Sequence, residues 1–142
     1  MALAAAQVID ALAARLVPMV ATGGRVYTSR AWPLTETQVP AWRVTAEDED
    51  IDGSIGPANQ HRLLVRASAY ALALSNLDDA LHALAASGLS LLFAPTVPHH
   101  LQLSRLRRRM DDSAEARLGA IDIFLTATFM VDPSQPETLL SP

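Results

Sequence analysis

The chain has 142 residues, of which half are hydrophobic and 18% are charged, so it has the length and composition of one globular domain. This composition excludes a disordered chain and argues against a two-domain enzyme. The net charge of −4 argues against a general affinity for nucleic acid, which needs a positive surface. All eleven basic residues are arginine and cysteine is absent, which excludes lysine Schiff bases, disulfides and thiol nucleophiles.

An amphipathic helix is predicted over residues 2–17. Its apolar residues recur at three- and four-residue steps, at Ala5, Val8, Ile9, Leu12 and Leu16. Gly23 and Gly24 end this segment. The helix lacks a basic start, and no stretch of the sequence reaches the roughly 18 apolar residues of a membrane span. We therefore expect a soluble, unprocessed protein that does not enter a membrane.

Two short strands are expected next, over residues 25–28 and 42–45, the second with Trp42 and Val44 on one face. The segment that follows is the most unusual in the chain. It holds five acids within six residues: Glu47, Asp48, Glu49, Asp50 and Asp52. Mutual repulsion and nearby glycines predict an exposed acidic loop, which is either merely solvated or faces a partner or a channel.

The clearest strand is predicted over residues 62–74, where strict alternation places a series of alanines on one face. Such small side chains indicate a close cover, for which a helix is the natural element. A second helix is predicted to begin near its N-cap candidates, Ser75 and Asn76, and to end at Gly88. The apolar run 89–93 cannot be assigned from its periodicity.

A long hairpin is predicted at the end of the pattern, with arms over residues 101–109 and 117–131. In the first arm Leu101 and Leu103 are in phase but Leu106 is not, which predicts either a β-bulge or a change of exposure near Ser104.

The predicted element order is α-β-β-β-α-β-β. The natural two-layer arrangement is an α+β fold, in which an antiparallel sheet of about five strands carries two helices on one face. Residues 1–131 are expected to form the single domain. Residues 132–142, with three prolines, are expected to form a polar, mobile tail.

The first arm of the hairpin carries an arginine cluster, which consists of Arg105, Arg107, Arg108 and Arg109. On a strand, three of these residues share one face and Arg108 lies opposite. Three interpretations remain open: a solvated hairpin end paired with Asp111, Asp112 and Glu115, a phosphate-binding stripe, and contacts between subunits. Arginine-rich edges that meet acidic segments on a neighbouring copy suit a head-to-tail ring.

The sequence predicts no catalytic site, no metal site and no cofactor. His99 and His100 are adjacent and point to opposite faces of a strand, while His61 and His82 are isolated. The acidic segment resembles the start of a calcium-binding EF-hand loop, but Asn59 stands at the twelfth position, where such loops have glutamate. The serines lack a nucleophile elbow, and no histidine has a recognisable orienting carboxylate.

Together these stretches resemble the phage tail terminator proteins of the minor tail protein U type. The resemblance covers nearly the whole chain and lies in the element order and in a few segments: residues 23–27 (GGRVY), 39–44 (VPAWRV), the acidic segment, the strand over 62–74, residues 76–79 (NLDD) and 128–131 (TFMV). These are patterns of hydrophobicity and turns. The segment 89–98 and the arginine cluster have no counterpart in the family pattern.

The resemblance implies a small α+β subunit that forms a hexameric ring at the head-proximal end of the tail tube. Such a ring stops tube polymerisation and offers a surface to the head-completion proteins. The implied partners are further copies of the chain, the tail tube protein and the neck proteins, and DNA passes through the ring without sequence-specific contact. The implied location is the virion tail, with assembly in the host cytoplasm and no enzymatic activity.

Two alternatives to a tail terminator remain. The first is another neck, head-closure or tail-completion protein. The second is a small-molecule-binding module or minor enzyme, for which His61, Tyr70 and His82 are scattered polar candidates.

Overall fold

Two α-helices and five strands make up the fold of the described residues. A computed structural model describes residues 3–28, 38–55, 58–72, 76–93, 100–111 and 118–136. The elements are α1 (Ala4–Leu16), a 3-10 turn (Val20–Thr22), β1 (Val26–Tyr27), β2 (Ala41–Ile55), β3 (Ala58–Leu72), α2 (Leu77–Leu92), β4 (His100–Asp111) and β5 (Leu118–Val131). The predicted element order and the α+β class are confirmed.

The strands form one sheet in the order β1-β2-β3-β5-β4. The four long strands pair antiparallel, as predicted. The two-residue strand β1 instead pairs with β2 in parallel, at Trp42 and Arg43, which makes the sheet mixed. Strand β5 lies between β3 and β4, and its residues 118–125 are all buried.

Both helices pack on the same side of the sheet, which we call the helix face. Helix α1 lies on β2, and α2 lies on β3 and β5. The core between the layers is built mainly from aliphatic side chains, including Val8, Leu12, Leu16, Val44, Leu63, Val65, Leu81, Leu92, Ile121, Ile123 and Leu125. The opposite side of the sheet, which we call the far face, carries most of the charged side chains described below.

The predicted end of α2 at Gly88 is wrong, because the helix continues to Leu92. Gly88 is a packing residue instead. A Cβ atom at this position would lie 2.5 Å from the ring of Trp42, so only glycine allows the helix to approach the sheet this closely. The unassigned apolar run 89–93 is thereby explained as the last turn of α2 and its C-cap, Phe93.

The predicted bulge in the first arm of the hairpin is confirmed. Strand β4 pairs with β5 in regular register up to Leu103 and again from Arg105, so that Ser104 is the extra residue. The bulge brings Leu103 and Leu106 onto the same face, opposite Leu125 and Ile123.

The segment after β5 turns back toward α1. The hydroxyl and backbone N–H of Ser134 donate hydrogen bonds to the Asp132 carboxylate at 2.8 and 2.9 Å, and these bonds hold the pKa of Asp132 below its usual value. The backbone oxygen of Pro136 accepts a 3.0 Å hydrogen bond from Ala4, at the first turn of α1. This part of the predicted tail therefore supplies an acceptor for a helix N-terminus that has no side-chain cap.

Some sequence-based predictions concern positions outside the described residues. These are Ser75 as an N-cap, His99, the hairpin connector with Asp112 and Glu115, and the tail beyond Pro136. Asn76 occupies the N-cap position of α2, although its side chain makes no capping hydrogen bond. Within the described chain, no helix has the length and apolar character that a bilayer crossing requires.

Candidate interface on the charged strands of the sheet

The arginine cluster divides between the two faces as alternation predicts. The β5 partners of Arg105, Arg107 and Arg109 are Phe124, Asp122 and Ala120, respectively. These partners lie on the far face, and so do the three arginines. Arg108 lies on the helix face, where its Nε donates a 2.9 Å hydrogen bond to Nε2 of His82 on α2.

A fully buried carboxylate holds two of these arginines. Asp122, at the centre of β5, has an exposed fraction of zero. Its Oδ2 accepts hydrogen bonds from Arg107 Nη2 at 3.1 Å and from Arg109 Nε at 2.9 Å. Its Oδ1 accepts a hydrogen bond from the hydroxyl of Ser68 on β3. Three strands are thus joined through one side chain.

Charge stabilisation at Asp122 exceeds the cost of its burial. Burial alone raises the pKa of this carboxyl, but hydrogen bonds from Arg109 and Ser68, together with the charge of Arg109, hold the pKa of Asp122 below its usual value. Burial likewise lowers the pKa of Arg109, but the bonds to Asp122 and Tyr70 raise it above its usual value. The Asp122 carboxylate and the Arg109 guanidinium are therefore charged across the physiological range.

Aromatic rings support the same arginines. The guanidinium groups of Arg105 and Arg107 lie 4.7 and 5.2 Å from the centre of the Phe124 ring. Arg109 lies 5.3 Å from the ring centre of Tyr70 and donates a 2.7 Å hydrogen bond to its hydroxyl. These cation–π contacts hold the arginine side chains against the sheet and leave less freedom to each side chain.

The acidic segment is not a loop, and this prediction is wrong. Residues 47–52 lie within β2 and pair with β3. Strand pairing is possible because basic partners stand across the ladder: Glu47 lies 2.8 Å from Arg66, and Glu49 lies 2.7 Å from His61. From Asp48 to Asp50, alternation also sends neighbouring carboxylates to opposite faces, which reduces the repulsion that favoured a loop.

The acids of β2 divide between the faces in the same way as the arginines of β4. The β3 partners of Asp48 and Asp50 are Leu64 and Arg62, on the far face, and both aspartates are exposed. Glu49 is opposite Leu63 on the helix face. Bulges at residues 47 and 53 bound this stretch, so that positions 48–52 form a regular five-residue run. The side chain of Asp52 lies outside the described part of the chain.

The acidic and basic strands lie at opposite sides of the sheet. Beyond residue 43, the outer edge of β2 has no strand partner among the described residues, and the outer edge of β4 has none along its length. Exposed apolar side chains accompany both edges: Ile51 on β2 is 60% exposed, and Leu106 on β4 is 38% exposed. An unpaired edge of this length is a template for a further strand.

A separate cavity of about 330 Å³ lies beside the N-terminus of α1. Its lining includes Ile51 and Val131, together with the hydrogen-bonded pair Glu49 and His61, whose imidazole stacks on Phe129 at 5.3 Å. Of the scattered polar candidates, only His61 lines this cavity. Tyr70 is buried against Arg109 on the far face, and His82 is exposed on α2.

The described residues contain no group of three or more histidine or acidic side chains with the proximity that a metal site needs. Residues 48–59, which resemble a calcium-binding loop, are not flanked by helices, because residues 48–55 belong to β2 and residues 58–59 to β3.

Three residues organise the arginine cluster: Asp122, Ser68 and Tyr70. Sequence reasoning missed the first two and named Tyr70 only as a scattered polar candidate. A signal for Asp122 was present, since it is the lone charge within an apolar run, IDIFL. Its partners are far away in sequence and become neighbours only through the register of β3, β4 and β5.

No protein-family model matches the chain, and no curated protein matches it.

Proposed function

We propose that this chain is a phage tail terminator, a structural subunit that assembles with further copies into a ring, of six copies as the family resemblance implies. The ring caps the head-proximal end of the tail tube, stops tube polymerisation and provides the surface for head joining. In this role the tail tube protein and the head-completion proteins are its partners, and it acts in the virion tail without enzymatic chemistry.

The observation that carries the proposal is the opposite charge of the two outer long strands of one sheet. Acidic β2 and arginine-rich β4 lie at opposite sides of the subunit. No described strand covers the outer edge of β4, or the outer edge of β2 beyond residue 43. Surfaces that differ but complement each other lead to head-to-tail association, and such association closes into a ring when the rotation between copies fits. The α+β fold agrees with the subunit that the resemblance implies.

Gene deletion and complementation in the phage that encodes the chain test the proposal. Without the protein, tubes are expected to grow past the normal tail length and to remain unjoined to heads. Complementation in trans should restore tails of uniform length. Tails of normal length that fail to join heads would instead assign the protein to the neck or to head closure, which is the principal alternative.

One observation favours a second candidate, a small-molecule-binding module. The cavity beside α1 combines apolar walls with the Glu49–His61 pair, which is the composition of many ligand sites. A screen of small metabolites by thermal shift tests this candidate. A ligand that raises the melting temperature of the native protein, and not that of a His61→Ala variant, would support it.

A further inference from the structure

We propose that the outer edge of β4 in one copy pairs antiparallel with the outer edge of β2 in the next copy, so that the sheets of neighbouring subunits become continuous. This inference rests on the proposed ring and specifies its contact. The partner surface is a second copy of the same chain, and the recognition is main-chain pairing guided by charge.

The direction of pairing follows from the topology. Strand β2 is antiparallel to β3, β3 to β5, and β5 to β4, so β4 runs opposite to β2 within the sheet. Copies related by rotation about a ring axis keep the same strand directions relative to that axis. Strand β4 therefore meets the β2 of its neighbour in the antiparallel sense.

Alternation restricts the register. Rotational symmetry keeps the helices of all copies on the same side of the continuous sheet, so far-face residues must meet far-face residues. One register satisfies this condition and matches chemistry at each of four consecutive positions. It places Leu106 opposite Ile51, Arg107 opposite Asp50, Arg108 opposite Glu49, and Arg109 opposite Asp48 of the next copy.

The neighbouring registers keep some pairs of opposite charge but do not match all four positions. A slip of one residue brings opposite faces together. A slip of two residues in one direction places Leu106 opposite Glu49, and a slip in the other direction places Arg108 opposite Ile51. The matched run also coincides with the regular stretch of β2, positions 48–52, and begins after the bulge at Ser104.

Pairing like edges is disfavoured. Two β4 edges would bring the arginine clusters of two copies together, and two β2 edges would bring two acidic runs together. Like charges directly opposite each other on paired strands are destabilising. The charge pattern therefore favours head-to-tail assembly over a two-fold dimer through either edge.

The register implies a ring of suitable shape. Within one subunit, cross-strand pairing through β5 and β3 places Arg107 on β4 at the same height as Arg43 on β2. Asp50, the proposed partner of Arg107 in the next copy, lies six paired positions further along β2, not counting the bulge residue Glu47. Each subunit therefore advances six residues of about 3.3 Å along the strand direction for every four strand-to-strand spacings of about 4.8 Å. This ratio inclines the strands by roughly 45° to the ring axis. Strands of closed barrels incline by about 35–45°. Six copies would then enclose a backbone diameter of roughly 50 Å, wide enough for duplex DNA.

Engineered disulfides test the register, because the native chain has no cysteine. The variant carrying Ile51→Cys and Leu106→Cys, oxidised at high protein concentration, is expected to form a ladder of covalent oligomers that ends at the full ring. The matched control carries Ile51→Cys and Leu103→Cys, whose second residue is exposed on the same face of β4. This control is expected to form no covalent ladder. Each single cysteine variant should likewise form none, apart from occasional disulfide-linked dimers.

Charge reversal provides a second test that leaves the Asp122 centre intact. Arg108→Glu alone and Glu49→Arg alone each place like charges at every junction, and each is expected to weaken association about tenfold per junction. A mixture of the two variants should assemble into alternating rings, because every junction again pairs opposite charges. The double variant should assemble by itself.

The outcomes separate the edge pairing from the proposed function. Three results would overturn the edge pairing. These are equal cross-linking of the test and control cysteine pairs, no ladder from the Ile51→Cys and Leu106→Cys variant, or no ring assembly in the mixture of the two charge-reversal variants. A ladder together with tubes that stay overlong when the protein is supplied in trans would keep the edge pairing and remove the proposed function. Tubes of uniform length without a ladder would do the reverse.

Discussion

At the residue scale, Asp122 decides the arrangement of the far face. Arg107, Arg109 and Ser68 converge on one carboxylate that water does not reach. A buried charge is retained only when it is paired and hydrogen-bonded, so the position of these arginines is a consequence of burying Asp122. Two of the four cluster arginines therefore have a structural role within the subunit.

Replacing Asp122 with asparagine is expected to destabilise the protein by about 2–3 kcal/mol, because the two arginines lose their anion while the shape of the side chain is kept. Urea denaturation measures this change. The matched control, Ser68→Ala, removes one hydrogen bond to the same carboxylate and should cost about 1 kcal/mol. An unchanged unfolding midpoint for Asp122→Asn would show that the carboxylate contributes nothing to stability.

The same residue predicts a dependence on pH. The folded pKa of Asp122 is lower than the unfolded pKa of about 3.9, so folding favours the charged form. Its contribution is fully present above pH 4 and is lost as the pH falls through the lower, folded value. The stability difference between the native protein and Asp122→Asn should therefore narrow in acid. A difference that stays constant between pH 7 and pH 3 would contradict this assignment.

At the element scale, the close packing of α2 on the sheet depends on Gly88. Alanine usually stabilises a helix interior by roughly 1 kcal/mol relative to glycine. Here its Cβ would lie 2.5 Å from the Trp42 ring, which is fully buried and has no room to move aside. Overpacking of a core typically costs about 1–3 kcal/mol and outweighs the gain in helix propensity.

Gly88→Ala is accordingly expected to destabilise the protein by a net amount of about 1–2 kcal/mol. The matched control is Ser87→Ala, one position earlier on the exposed side of α2. This control should change stability by less than about 0.5 kcal/mol. Thermal denaturation compares the two variants, and a stabilised Gly88→Ala would mean that α2 does not pack this closely.

The sequence was informative where burial leaves a pattern in it. Alternation located β3 and the two arms of the hairpin, and the phase break between Leu103 and Leu106 located the bulge at Ser104. Prediction from the sequence failed where a contact between distant residues overrode a local preference. Gly88 has the sequence signature of a helix end, and only Trp42, 46 positions earlier in the chain, explains why it is interior.

The acidic segment was also predicted wrongly because its partners are distant in the sequence. A dense run of carboxylates predicts a loop when each is considered alone, but Arg66 and His61 stand opposite it on β3. Alternation predicted that Arg105, Arg107 and Arg109 share one face of the sheet. Their common partner was not, because the register between strands is absent from a single sequence.

At the scale of the whole molecule, the account rests on complementary sides of one sheet. Replacing all four arginines of the cluster with serine should dissolve a ring into monomers, but that change also removes both arginine partners of Asp122. Arg105 and Arg108 make no contact with Asp122 in the described structure and therefore report on the outer surface more cleanly.

The variant with Arg105→Ser and Arg108→Ser is expected to remain folded and to lose ring assembly. The variant with Asp48→Asn and Asp50→Asn should lose it from the other side of the contact, because both carboxylates are exposed on β2. Sedimentation velocity measures assembly, and circular dichroism checks the fold. As a surface control, Asp78→Asn on α2 should assemble normally. Intact rings from both double variants would remove the charged strands from the interface.

Neutralising the whole acidic segment extends this prediction to the virion. A variant in which Glu47, Asp48, Glu49, Asp50 and Asp52 carry the corresponding amides should fail to complement a phage that lacks the protein. Because Glu47 and Glu49 also pair with β3 within the subunit, solubility and folding are checked in parallel. Normal assembly, infectivity and DNA delivery would show that this charge serves neither a partner nor a channel.

The most direct measurement of the central claim is electron cryomicroscopy of tail tubes from the same phage after incubation with the purified protein. The account predicts a six-fold ring of density at the head-proximal end of each tube, tubes of uniform length, and strand density continuous from one subunit to the next. Free protein beside bare, overlong tubes would contradict it.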